Sequence, residues 1–241
     1  MVKTQIINFI FIFTAFVAWG QQYELGLNIG AGNYIGDLGN EYYFMPNKAG
    51  AGIMFKNTFN PWFGIRFNAN YHPIYTNDQE SESLGRRQRN LRAEGTLWDL
   101  SVGIEYKFLP RNPFLRPKRL QRITPYMYTG LGVGTFYGDL YRNDPDEQKL
   151  LDYNGSGLFI PMSLGIKYRV GEHLIFGVET TAKYYFSDNL DGTAAYYNPE
   201  KINNDPKAIQ ASNPNSNDWY TYTSISIIYT FGDLLCYFNV R

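Results

Sequence analysis

The amino-acid sequence predicts an all-β protein. It reads as an eight-stranded antiparallel transmembrane β-barrel at residues 21–232, after a cleaved signal peptide at 1–20 and before a C-terminal tail at 233–241. Three observations predict this class. Apolar–polar alternation recurs in eight segments, the polar faces carry charge of both signs, and the connections alternate between long and short. The pattern is plainest at 97–108. There Trp98, Leu100, Val102, Ile104, Tyr106 and Phe108 fall on one side of an extended chain, and Asp99, Ser101, Gly103, Glu105 and Lys107 fall on the other. Side chains alternate between faces along a strand. A face so charged cannot lie in a dry sandwich core, but it can line a barrel whose outside touches lipid.

Composition points the same way. The chain has 241 residues and a formal net charge of zero, which excludes the basic footprint of a nucleic-acid binder. Charged residues make up 18% and aromatics 17%, a balance suited to a wall with interfacial aromatic girdles. No run of about 18 apolar residues follows the first twenty positions, so no spanning helix is available. The mean hydropathy is negative, as expected when only every second residue faces lipid. Lys3, the apolar stretch 6–17 and Ala18-Trp19-Gly20 before Gln21 form a secretory signal with a small-x-small cleavage site. No Cys follows that site, so a lipoprotein is not expected.

In chain order, the first strand places Tyr23, Leu25, Leu27 and Ile29 outward, and a loop at 33–48 follows it. Ala51, Ile53 and Phe55 mark the second strand, which Asn60-Pro61 turns tightly into the third. The third has Phe63, Ile65, Phe67, Ala69 and Tyr71 outside and Arg66, Asn68, Asn70 and His72 inside. A hydrophilic loop is predicted at 78–96, the fourth strand at 97–108, and the fifth at 124–138. Gly130, Gly132 and Gly134 share one face of the fifth. No helix pattern follows them, so they fail as a nucleotide fingerprint; small inward residues make room for large neighbours or ease curvature. After a predicted loop at 139–154, the sixth strand has Leu158 to Tyr168 outward in alternation. Gly171-Glu172 makes a tight turn, strand seven covers 174–187, a long loop covers 189–217, and the last strand covers 218–231. Long connections after odd strands and short ones after even strands match outer-membrane barrels and place both termini in the periplasm of a Gram-negative bacterium. A soluble eight-stranded binding barrel would reverse the faces, with apolar residues inside.

The inward face collects Glu24, Arg66, Asp99, Glu105, Lys107, Lys167, Arg169, Glu179 and Lys183. These charges could form a path for protons or ions, or a plug of salt bridges. An eight-stranded barrel has an interior just wide enough for side chains to fill, and unpaired interior charge is costly, which favours the plug. Enzyme signatures are sparse. His72 and His173 lie at opposite ends and cannot share a metal, no Cys/His metal spacing exists, and His72 with Asp78 is weak grounds for a rim hydrolase. No catalytic residue, cofactor or metal is expected.

Two features point to a partner. The connection at 109–123 carries Arg111, Arg116, Lys118, Arg119 and Arg122 with no acid, and Pro110, Pro113 and Pro117 stiffen it. It reads either as a solvated turn beside anionic lipid headgroups or as a basic platform for an acidic partner. Cys236, the one Cys, lies in the tail. A lone Cys in an exported chain suggests an intermolecular disulfide or a free thiol; the alternative is a small hydrophobe buried against the rim.

Just after the first strand stands the run Asn33-Tyr34-Ile35-Gly36-Asp37-Leu38. Locally, Asn and Gly tolerate left-handed backbone and Asp37 can cap a turn or bond inward, so the run is expected to fold over the barrel mouth. Asn33, Tyr34, Gly36, Asp37 and Leu38 carry a resemblance to PorG, the outer-membrane barrel of the type IX secretion system of Bacteroidota. It extends over the signal peptide, the eight strands and the tail with its one Cys. The resemblance implies a non-enzymatic anchor without cofactor, held in outer-membrane lipid and associated with a periplasmic ring of a PorK-like lipoprotein and its PorN-like partner. It also makes the PorK-like lipoprotein the natural disulfide partner of Cys236. An independent outer-membrane protein, a surface adhesin or a rim enzyme, is the other function class left open.

Overall fold

A computed structural model describes residues 22–39, 42, 48–109, 122–143, 148–187, 190 and 218–232. Eight antiparallel strands close into one barrel in sequence order: β1 (Gln22–Ile35), β2 (Lys48–Thr58), β3 (Phe63–Asn77), β4 (Leu91–Lys107), β5 (Ile123–Arg142), β6 (Gln148–Val170), β7 (Leu174–Tyr185) and β8 (Trp219–Phe231). The seam joins first to last, with Tyr23 opposite Phe231 and Ile35 opposite Trp219. Closure leaves no sheet edge along the paired wall, which is what a strand structure in hydrocarbon requires.

The faces sort as the alternation predicts. Leu27, Leu131, Leu158 and Leu164 point outward, each more than 60% exposed, while Glu24, Lys56 and Glu105 inside are at most 1% exposed. This is the reverse of a soluble binding barrel. Aromatic pairs rim the apolar belt at both ends. Tyr23 stacks between Phe55 and Phe231, and Tyr106 packs on Trp62, Phe63 and Phe108, at the end of the short turns. Tyr71 packs on Trp98, and Tyr184 on Trp219 and Phe186, at the end of the long loops. Amphipathic rings favour such interfacial positions. Boiled and unboiled samples should therefore migrate differently on a gel, and Val102→Arg, mid-belt, should cost about 2–4 kcal/mol. Identical migration would contradict a lipid-embedded barrel.

Two loops are shorter than the sequence suggests. The predicted connection at 78–96 holds a 3-10 turn (Asp78–Glu80) and a short helix, α1 (Leu84–Arg89), and β4 already begins at Leu91. The predicted loop at 139–154 is mostly strand, because β5 runs to Arg142 and β6 starts at Gln148, with a bulge at Leu140/Tyr141. Above the girdle the outward residues are polar, as at Arg92, Glu94, Asp152 and Asn154, so the apolar face that signals a strand is missing there. The exposed Lys149 bridges Asp139 and Asp152 on this ribbon, and its hydrogen bond holds the Asp152 carboxyl below its ordinary value. The signal peptide and the 233–241 tail, with Cys236, lie outside the described residues, as do Arg111, Arg116, Lys118 and Arg119.

Candidate functional site

The lumen is filled in three tiers. In the tier nearest the short turns, Lys56 Nζ lies 2.5 Å from Glu24 and 2.7 Å from Glu105. Lys167 Nζ also reaches both acids, at 3.1 and 2.6 Å. Arg66 forms a two-pronged bond with Glu179, and the Tyr126 hydroxyl donates to the same carboxylate at 2.7 Å. Arg66 stacks over Tyr128 and Lys167 over Tyr126, at 4.8 and 4.5 Å from the ring centroids. Lys107 reaches Glu24 only at 3.7 Å.

A waist of Asn68, Ser101, Ser163 and Thr181 follows, linked by side-chain hydrogen bonds and bordering a cavity of about 20 Å³, room for one water. Next, Lys183 donates to Asp99 and, at 2.7 Å, to His72 Nε2. Asn70 donates to the other Asp99 oxygen at 2.9 Å, and His72 is wedged against Tyr220 and Tyr222.

The third tier is a dry stopper. Leu97, Phe136, Phe159 and Tyr185 lead up to Leu38, Ile74, Leu91, Leu140 and Leu190, all buried in one cluster. The run after β1 closes it. Leu38 is the apolar plug, and the Tyr34 hydroxyl donates to Asp218 Oδ1 at 2.5 Å. Asp218 Oδ2 in turn accepts from the Leu190 amide at 2.9 Å. At Gly36 a Cβ would lie 1.7 Å from the Tyr34 hydroxyl and 2.4 Å from Asp218 Oδ1, so a side chain there would have to displace the Tyr34–Asp218 bond. Asn33 donates to the Tyr42 carbonyl at 2.5 Å. Arg89 clamps from above, donating to the Asp37 carbonyl at 2.7 Å and to both oxygens of Asp78, which also accepts from the Gly39 amide. The run Asn33–Leu38 is thus the lid of the barrel. Asn33, Tyr34, Gly36 and Leu38 take part through these contacts, and Asp37 accepts from Arg89 through its main-chain carbonyl.

Of the nine charges expected in the lumen, the structure brings eight inside. Arg169 keeps the inward register of Lys167, opposite the buried Ile175, but sits at the turn-side rim, half-buried, and donates to the Glu172 carbonyl at 2.8 Å. Lys56 and His72 belong to the clusters but were absent from that set. Lys56 is the buried cation of β2, following Gly50, Gly52 and Met54 on the inward face, and His72 sits just below Pro73. Arg122 lies exposed at the same rim, its carbonyl accepting from the Arg169 amide at 2.8 Å. The inward glycines divide by role. A Cβ on Gly132 would strike the Phe159 ring at 2.3 Å, whereas one on Gly130 would strike the Val102 carbonyl of the next strand at 2.2 Å. Among the described residues no group of three or more His, Cys, Asp or Glu could hold a metal ion.

From a lumen so filled no stable ion current is expected: purified protein in planar bilayers should show no steady conductance. A persistent ion-selective channel would overturn the stoppered lumen.

Closed wall, apolar outside, polar filling and aromatic girdles define an eight-stranded barrel of the outer-membrane type. The chain belongs to the family described as Domain of unknown function (DUF6089), whose profile matches residues 3–240. No curated protein matches it. Among solved structures it is similar to a major outer membrane protein from Thermus thermophilus, at 14% identity and a TM-score of 0.50 over 87% of this chain and 99% of that one. Neisserial surface protein A is similar at 10% identity, TM-score 0.48, over 87% and 97%. So is Ail, the attachment invasion locus protein of Yersinia pestis, in complex with the heparin analogue sucrose octasulfate, at 11% identity, TM-score 0.46, over 88% and 100%. At such identities the likeness is one of fold, and the Thermus barrel carries it.

Proposed function

We propose that this chain is a non-enzymatic outer-membrane barrel that anchors the periplasmic ring of a type IX secretion system, as its resemblance to PorG implies. The observation that carries the reading is the stoppered lumen. A barrel with no way through works by its surfaces, not by transport, and anchoring is work of that kind. The Asn33–Leu38 run supports it, since the residues that carry the resemblance, Asn33, Tyr34, Gly36, Asp37 and Leu38, lie in the lid. In this reading the short turns and both termini face the periplasm. Arg122 and the basic positions Arg111, Arg116, Lys118 and Arg119 then meet the ring, and Cys236 is placed for a disulfide with a PorK-like lipoprotein.

The test is a pull-down of tagged chain after mild cross-linking in native membranes. Recovery of a PorK-like lipoprotein with its PorN-like partner is expected, reduced when Arg116, Lys118 and Arg119 are changed to Glu. Failure to recover either ring protein, with the barrel normally inserted, sinks the anchoring role and leaves a surface role for the long-loop end.

A further inference from the structure

The turn-side tier of the lumen is out of charge balance. Among the described residues it holds four cations, Lys56, Arg66, Lys107 and Lys167, against three acids, Glu24, Glu105 and Glu179. Three of the cations are accounted for: Lys56 and Lys167 share Glu24 and Glu105, and Arg66 takes Glu179. Lys107 is the surplus. Among the described residues its nearest acid oxygen, Glu24 Oε1, is 3.7 Å away, an ion pair beyond hydrogen-bond range, and Glu24 also serves Lys56 and Lys167 through its other oxygen.

Position matters as much as count. Lys107 ends β4, opposite Tyr126 on the inward face, and is the charge of this tier nearest the rim. Its side chain is 12% exposed, the most of the tier, whose other charges range from 0 to 10%. Beside it on the same rim stand Arg122 and Arg169, with Glu172 the acid of the adjoining turn. The opposite end is shut by the apolar stopper, so this tier meets water and solutes from the turn side alone. A partly exposed ammonium whose one ion pair lacks a hydrogen bond lowers its energy by taking a further anion, and a carboxylate forms the short charge-assisted bond an ammonium favours.

We infer that the turn-side mouth of the lumen is a receptor for one carboxylate of an acidic polypeptide segment, which enters beneath the barrel and bonds Lys107 Nζ. The site neutralises the surplus charge and gives the barrel a contact buried deeper than its rim. This rests on the reading of the turn side as the partner-facing side, but its test does not depend on the secretion system.

Full-length protein in detergent is titrated with a fluorescent hexaglutamate peptide at low and high salt. Binding is expected, weakened at least tenfold in Lys107→Gln, restored in Lys107→Arg, unaffected by Lys149→Gln at the far end, and lost at high salt. Heat-modifiable migration of each variant checks that the barrel is intact. Equal affinity in Lys107→Gln and wild type overturns the proposal. So does equal competition by inorganic phosphate at matched charge, which would make the site one for a free ion. A ring-protein pull-down that fails while the peptide binds Lys107 would remove the secretion reading and leave the receptor standing.

Discussion

Glu105→Leu should destabilise the barrel by about 3–5 kcal/mol, the range for breaking a buried ion pair from one side. Glu105 is fully buried and holds Lys56 at 2.7 Å and Lys167 at 2.6 Å, with Arg66 at 3.5 Å. Removing it leaves Lys56 and Lys167 to share Glu24 alone, in a tier that already carries one cation too many. The cost comes chiefly from stranding those cations, so Glu105→Leu combined with Lys56→Met should be less damaging than the single change. The measurement is a urea unfolding midpoint in detergent, with unboiled gel migration as the check on folding. A single variant within about 1 kcal/mol of wild type would mean that water reaches the tier freely and that the pairs are not dry.

A second large effect is expected at Gly130. It lies opposite Gly103, where β4 and β5 approach so closely that a Cβ on Gly130 would sit 2.2 Å from the Val102 carbonyl oxygen and 2.5 Å from the Gly103 Cα. Those atoms are main chain and cannot swing aside. Gly130→Ala should therefore cost about 3 kcal/mol or more, the top of the range for overpacking. Gly134, four residues on and facing the same way, is the internal comparison. A Cβ there meets the Tyr185 hydroxyl at 2.8 Å and Leu97 Cδ1 at 3.1 Å. Both are ends of side chains that can shift, so Gly134→Ala should fall near the low end of about 1–3 kcal/mol. Equal unfolding midpoints for the two variants would show that wall curvature does not require glycine at 130.

The barrel was legible in the sequence because lipid contact imposes a period of two on every strand, and Trp98 to Phe108 displays it without a break. Legibility fails where that contact ends. Arg92, Glu94, Asp152 and Asn154 are outward strand residues above the girdle. There the outward face meets water while Leu91, Ala93, Leu140 and Tyr153 turn into the apolar stopper, so the lipid-facing pattern is lost and β4, β5 and β6 run well beyond their predicted limits. The inward charges could be recognised one by one, but their partners could not. Lys183 meets Asp99 and His72 across the lumen, 84 and 111 positions away, and nothing local to β7 announces either. The glycine triplet on β5 had two explanations in the sequence. The structure assigns one to Gly130 and the other to Gly132, a distinction set by neighbours on other strands. The lid was visible as a run of turn-forming residues, but not its fastenings, since Asp78, Arg89, Leu190 and Asp218 come from later parts of the chain.

Those fastenings bear on the order of assembly. The Tyr34 hydroxyl and Asp218 stand 184 positions apart, one at the end of the first strand and the other at the start of the last. Contacts so distant in sequence form late, after the loop entropy between them has been overcome. Asp218 also ties to the Leu190 amide and, through its carbonyl, to the Tyr185 amide, so it is in place only once β7 and β8 have paired. Until the last strand docks, the stopper lacks part of its wall and the interior is flooded. Drying of the upper lumen and completion of the circle are thus one event, and a chain halted one strand short is told from a finished barrel by the water it still holds.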